Sequence, residues 1–223
     1  MKKFLLVIVW ASLFIQFPLS VFSEQRKSGA SFLKLGAGAR ELGLGSAASA
    51  ISEGSNSLYW NPAGCAKLSA TEFSFTHADW LGDAHYDYFG IVSPTKWGNW
   101  GISGIYFNPG SQEGRDAAGL RTGSFSASDV AMGLSYAKEA FPHFGLGTQV
   151  KYIESHLGRE SAKTFALDFG GQYSFRNGFI IGSSIRHLGP AQKFIEQKDP
   201  LPLIFSIGVS KVFAPVFLVS IDF

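Results

Sequence analysis

The sequence is short of several things at once. Its 223 residues include one cysteine and two methionines, and only 16% are charged. A lone Cys excludes an intramolecular disulfide framework and the zinc folds built on several cysteines. Soluble proteins average roughly 25% charged residues, so the deficit here is large. Low charge beside 15% aromatic residues also excludes intrinsic disorder, which requires the opposite balance. Collagen and heptad periods are both absent. No HExxH pair occurs, and the five histidines (77, 85, 143, 156 and 187) show no close sequence cluster with acids or Cys, so no metal site is expected. Gly36-x-Gly38 lacks the third glycine of a dinucleotide fingerprint, because Glu41 stands there, and no P-loop Lys-Ser/Thr follows. No cofactor is therefore expected. His187 near Ser183 or Ser184 is the kind of pair any serine-rich chain offers by chance, so no catalytic activity is expected either.

What is abundant is glycine, with 26 residues, and phenylalanine, with 21. Residues 1–23 read as a cleaved secretory signal peptide. Lys2 and Lys3 form a positive start, Phe4 to Ile15 is an uncharged apolar run, and Val21-Phe22-Ser23 supplies a cleavage site. The run is well short of the ~20 residues that a membrane-spanning helix needs. Cleavage takes away two of the 19 basic residues and none of the 17 acids, which leaves the mature chain neutral. Nucleic-acid binding thereby loses its electrostatic warrant.

The remainder divides in two. Residues 24–68 are rich in Gly, Ala and Ser, with one helical turn around Ser46 to Ser52 and no alternation. From Thr71 the pattern has period two. Phe144, Leu146, Thr148, Val150 and Tyr152 take one face, and Gly145, Gly147, Gln149 and Lys151 the other. The same holds for Phe165 to Phe175 against Ala166 to Ser174, for Val130 to Tyr136, and for Phe205 to Val209. A soluble sandwich and a membrane barrel both produce such a dyad. Small, weakly charged second faces, strands of about ten residues and aromatics near strand ends (Trp80, Tyr86, Tyr88, Trp97, Trp100, Tyr136 and Tyr173) favour the barrel. Turn signals separate nine strands, roughly 71–80, 84–93, 97–107, 124–137, 143–156, 162–175, 179–188, 202–213 and 216–222. The longest connections, around 108–123 and 189–201, are expected on one, extracellular side.

Gly36-Ala37-Gly38-Ala39-Arg40, Gly43-Leu44-Gly45 and Leu58-Tyr59-Trp60-Asn61-Pro62-Ala63-Gly64 resemble the N-terminal region of FadL-like outer-membrane proteins, most closely their PorV/PorQ branch. Phe125 to Asp129, Gly133 to Tyr136, Val150 to Ile153, Asp168-Phe169-Gly170 and Leu188-Gly189-Pro190 look like the same branch, so the likeness spans most of residues 30–213. The resemblance implies an all-β fold: a transmembrane antiparallel β-barrel with an N-terminal plug, or hatch, at 24–68 and barrel strands at 69–223. It carries the hatch motif onto Asn61, Pro62 and Ala63. It implies passive uptake of hydrophobic small molecules such as long-chain fatty acids across the outer membrane of a diderm bacterium. In the PorV/PorQ branch it implies instead a structural part in protein export or surface attachment, with outer-membrane proteins as partners. About nine strands is fewer than the fourteen of full-length family members and odd for a closed barrel. An incomplete, truncated member and a small closed barrel both remain open on this reading.

Inward-facing Asp129, Asp168, Gln149 and Lys151 are the candidate lumenal ligand-binding residues, with ordinary polar barrel interior as the alternative. Lys34 and Arg40 are candidates for pairing between plug and wall.

Overall fold

In the computed structural model, residues 28–80, 82–116, 118–194, 197–213 and 217–223 are described, so the expected signal peptide at 1–23 lies outside them. The strands are β1 (Glu72–Asp79), β2 (His85–Thr95), β3 (Gly98–Asn108), β4 (Ser111–Arg115), β5 (Arg121–Phe141), β6 (Phe144–Leu157), β7 (Glu160–Ser174), β8 (Phe179–Leu188), β9 (Gln192–Phe194), β10 (Gln197–Asp199), β11 (Ile204–Phe213) and β12 (Phe217–Asp222). Nine of them follow one path, β1-β2-β3-β5-β6-β7-β8-β11-β12, and β4 adds a tenth by pairing with β5. Each pair along the path is antiparallel. The chain is all-β, an antiparallel sheet that does not close, since β1 and β12 are not paired with each other among the described residues.

A meander reverses direction at each strand, so the β1–β2, β3–β5, β6–β7 and β8–β11 connections share one end of the sheet, here termed the upper end. Both long connections lie there. They are not structureless: the first carries β4, which lengthens β5 to 21 residues, and the second carries the β9–β10 hairpin. Pro94 does not end β2, as a turn at that position would require. It pairs with Asn99 of β3. On the other side β2 is paired with β1 only as far as Val92, so Pro94 sits where one flank is already open.

The alternation resolves into two unlike faces. On the outer face Phe73, Ile102, Met132 and Phe165 are each more than half exposed, at 59, 55, 62 and 60%. On the inner face Ser135, Gln149, Lys151, Asp168 and Ser184 are buried. This is the reverse of a soluble β-sheet, where apolar side chains go in and polar ones out.

Residues 28–68 cover that inner face, with short helices at Ser31–Lys34, Ala39–Gly43, Gly54–Asn56, Ser57–Trp60 and Pro62–Cys65. Around Ser46 to Ser52 there is a single helical bond, from Ser52 N to the Ala48 carbonyl. The segment runs the length of the sheet. Gly29 N bonds the Pro200 carbonyl at the upper end, and Lys67 bonds Ser174 Oγ at the lower end.

The sheet curls around it. Ser49 N donates to Asp222 of β12 (2.7 Å), and Ser55 N donates to Glu72 of β1 (2.8 Å). Six residues reach at most roughly 21 Å. In a flat sheet with ~4.8 Å between strands, the first and last of nine would stand ~38 Å apart. Only strong curvature brings both edges to one short stretch of chain.

Candidate functional site

The interior is organised around the Asn61-Pro62-Ala63 turn. Asn61 is fully buried and caps the helix Pro62–Cys65, its Oδ1 accepting from Ala63 N (3.1 Å) while Pro62 occupies the first helical position. Its Nδ2 donates to the Ser49 carbonyl (2.7 Å) and to the Gly171 carbonyl of β7 (3.2 Å). One amide thus ties two parts of the segment to the wall.

The wall is shaped to receive this turn. Gly147 of β6 and Gly170 of β7 are cross-strand partners. A Cβ on Gly147 would stand 2.5 Å from Ala63 N, and one on Gly170 would stand 3.0 Å from the Pro62 ring. The neighbours at this level are polar and reach inward: Asn99 of β3 donates to the Cys65 carbonyl (2.7 Å), and Ser184 of β8 to the Trp60 carbonyl (3.1 Å). Gln172 of β7 donates to the Ala50 carbonyl (2.8 Å). Small residues on the inner face are therefore a docking surface for backbone.

Above the turn lies a buried charged cluster. Lys151 Nζ is 2.6 Å from Asp168 Oδ2, with side chains 4 and 0% exposed. Asp168 Oδ1 accepts from His187 N (2.8 Å), and His187 Nδ1 is 3.5 Å from Lys151 Nζ. Arg186, on the parity of Ser184, joins them, and a β-bulge brings His187 inward beside it. The β7–β8 register shifts between Leu167 and Phe169, so Arg186 and His187 together face Asp168. Consecutive strand residues normally point to opposite faces, yet both are buried, at 5 and 1%. His187 carries the bend at φ 64°. Arg186 NH1 donates to the Tyr59 carbonyl (3.3 Å), and its guanidinium lies over the rings of Tyr59 (5.7 Å) and Trp60 (5.3 Å). It pairs with no carboxylate among the described residues, and its Nε has no hydrogen-bond partner there. Within this cluster two cations, Lys151 and Arg186, share one carboxylate, that of Asp168.

Tyr59 forms the lid of this cluster. Its hydroxyl donates to the Leu33 carbonyl and accepts from Gly36 N, each at 2.7 Å. Burial pushes its phenol up to about 12. Burial also raises the Cys65 thiol to about 11 and lifts Glu41, whose carboxylate accepts from Asn56 Nδ2 (3.3 Å).

Among the residues singled out from sequence, the structure brings Asp168 and Lys151 into direct contact. Gln149 stands beside Asp168 across the strands and donates to Ser103 Oγ (2.9 Å). Asp129 is half-buried on the same inner face but is paired with Ser155, about 13 Å up β6 from Lys151. Lys34 and Arg40 do not reach the wall acids. Both are exposed, Arg40 pairing with Glu53 (3.3 Å) and Lys34 donating to Ser28 (3.4 Å) within their own segment. The cation that meets a wall acid comes from the wall itself. Tyr86 and Tyr88 also differ from the expected girdle position. They are 2 and 1% exposed and face inward, Tyr88 donating to the Ser55 carbonyl (2.9 Å).

Other aromatics do rim the outer face. Phe141–Phe144, Phe144–Tyr173 and Tyr173–Phe175 contacts run along the lower end, where Trp100 also meets Tyr136. At the upper end the apolar face gives way to two polar clusters, Tyr152-Glu154-His156-Lys163 and His77-Asp79-His85-Asp87. The second was hidden in the sequence, since a hairpin separates its halves. The repeated His-x-Asp at 77–79 and 85–87 is its sequence signal.

No helix among the described residues is long and apolar enough to cross a membrane. Comparison with curated proteins gives no match. Residues 20–187, most of the chain, match the uncharacterised protein family UPF0164, and the chain belongs to that family.

Proposed function

We propose that this sheet sits in a bacterial outer membrane with its apolar face in lipid, and that it admits hydrophobic small molecules with an anionic head, long-chain fatty acids foremost, by passive diffusion. Residues 28–68 act as the hatch. The membrane setting is supported by the inverted faces. Apolar outer residues run from Phe165 to Phe175 along β7 and into the turn beyond it, ten residues or ~33 Å of strand; tilted by roughly 40°, that is a band ~25 Å tall, as a bilayer requires. The likeness of residues 36–64 to the FadL-like N-terminal region supports the same setting and an exported, signal-bearing precursor.

One observation carries the ligand class: Arg186, buried and without a carboxylate partner. A buried cation with no direct ion pair keeps part of its desolvation cost, and a carboxylate head group would offset it. Lys151 is already committed to Asp168, so Arg186 is the residue that binds the head, while Gln149 offers a neutral polar contact. The acyl chain would occupy the space that Phe32, Leu33 and Tyr59 now fill. Entry therefore needs the segment to shift.

The test is uptake of labelled oleate into liposomes holding the folded protein. The wild type should accelerate uptake and Arg186→Gln should lose most of that gain. Folded protein that performs no better than empty liposomes sinks the transport reading.

The two unpaired edges favour a second reading. Open backbone edges are not tolerated in lipid, so β1 and β12 call for a covering chain. In that case the protein is a structural component that docks outer-membrane partners, and a defined partner co-purifying from native membranes would support it.

A further inference from the structure

The β1–β2 hairpin carries two copies of His-x-Asp, His77-Ala78-Asp79 and His85-Tyr86-Asp87. Spacing by two keeps each pair on one face. The antiparallel register places His77 opposite Asp87 and Asp79 opposite His85, so the four form a square on the outer face just above the apolar band. We infer that this square is a binding site for a transition-metal dication, with Zn²⁺ as its representative.

The geometry is that of a three-ligand site. His77 Nε2 is 3.4 Å and His85 Nδ1 2.8 Å from the same Asp79 oxygen, and the three donor atoms all lie within 4.8 Å of one another. Donors bound tetrahedrally at 2.0–2.1 Å stand roughly 3.3 Å apart. The two distances to Asp79 lie within about half an ångström of that spacing, and the widest pair of the three must close by at most about 1.5 Å, within reach of side-chain rotation at an exposed site. The imidazoles are near parallel, 18° apart in plane with centroids 6.2 Å apart, and both turn a nitrogen to Asp79.

A separate observation points the same way. The other ring nitrogen of His77, Nδ1, is 2.7 Å from Asp87 Oδ1. A carboxylate on the far nitrogen is the outer partner that metal-bound histidines characteristically have; it keeps the proton on Nδ1 and leaves Nε2 free to ligate. Two imidazoles and one carboxylate select zinc, copper, nickel or cobalt over magnesium and calcium, which require all-oxygen sets. All four side chains are solvent-accessible, so the ion enters from water, and the fourth coordination position is left for a solvent molecule.

The site joins the last residue of β1 to the first of β2, and β1 is an edge of the sheet. Bound metal would therefore staple the edge hairpin, and by linkage it stabilises the folded form as free metal exceeds its Kd.

The test uses the full mature chain refolded in detergent and titrated with Co²⁺, read by visible absorption, and with Zn²⁺, read by competition. One ion should bind per chain. The double variant His77→Gln/His85→Gln should lose it by 100-fold or more. Asp87→Asn should weaken binding 10- to 100-fold without changing the stoichiometry. His156→Gln, in the other polar cluster, is the control and should bind as the wild type does. Heat-modifiable gel migration of each variant without metal shows that it has folded. Equal binding by the wild type and the folded double variant, or no binding by the wild type, overturns the assignment.

Discussion

Gly147→Ala tests how the segment is seated. The added Cβ would meet the backbone of Pro62 and Ala63, with Ala63 N at 2.5 Å, so no flexible side-chain end is there to give way. Either the turn lifts off the wall or β6 moves, and overpacking of this kind costs about 1–3 kcal/mol. If the seated state bears that cost, the equilibrium for unseating rises about 5- to 150-fold, at 1.4 kcal/mol per decade. Cys65 reports it, being the only cysteine of the chain, fully buried next to the turn and bonded through Sγ to the Pro62 carbonyl (3.2 Å). While seated, its thiol is shielded and held protonated by a pKa of about 11. Labelling by a small maleimide in detergent or liposomes therefore proceeds through the unseated state and should accelerate by the same factor. The control is Gly104→Ala on β3, where a Cβ would have nothing within 4 Å. If Gly147→Ala labels no faster than Gly104→Ala, the segment is not held in the way described.

Three further outcomes follow from the same contacts. Asn61→Ala removes the cap of Pro62–Cys65 and strands the Ser49 and Gly171 carbonyls, which should cost about 1–3 kcal/mol and show as a lower temperature of heat modification. Lys151→Met leaves Asp168 buried without its cation and should destabilise by about 3–5 kcal/mol, whereas Lys151→Met/Asp168→Leu should recover much of the loss. Tyr59, with its phenol raised from the ordinary ~10 to about 12, holds the segment fully below pH ~10, and that contribution disappears as pH rises through 12, since the unfolded form loses its proton first. Protease sensitivity of the segment should rise across that window, and Tyr59→Phe should flatten the rise.

Much of the fold was legible because period-two alternation acts locally. Large apolar residues at 144–152 and 165–175 and small ones between them placed β6 and β7 to within about two residues, and the same signal placed the other strands of the meander. β4, β9 and β10 escaped it: Ser111–Arg115 and Gln197–Asp199 have no large apolar residue to bury, and Gln192–Phe194 is too short for alternation to show. The inner face was legible in part. Alternation put Gln149, Lys151 and Asp168 on one side, but whether Lys151 meets Asp168 depends on the β6–β7 register. Arg186 shares the parity of Ser184, so alternation alone turns it inward, whereas His187 faces inward only through the bulge, which is a property of the pairing with β7. Tyr86 and Tyr88 were misplaced for a related reason. Their aromatic character matches a lipid interface, yet their parity in β2 faces them towards Tyr59, whose ring lies 6.0 Å from that of Tyr88. The His-x-Asp square needs two strands in register before it exists at all.

Which face of the sheet meets lipid decides how this protein works. Single spin labels placed along β7 at 165, 166, 167, 168 and 169, in a Cys65→Ala background reconstituted into liposomes, measure this directly through their collision rates with oxygen and with a water-soluble nickel chelate. Positions 165, 167 and 169 should be open to oxygen dissolved in the acyl chains and closed to the chelate, with 166 and 168 shielded from both. Strong chelate access at 165, 167 and 169 would show that the apolar face lies in water, and would contradict the account.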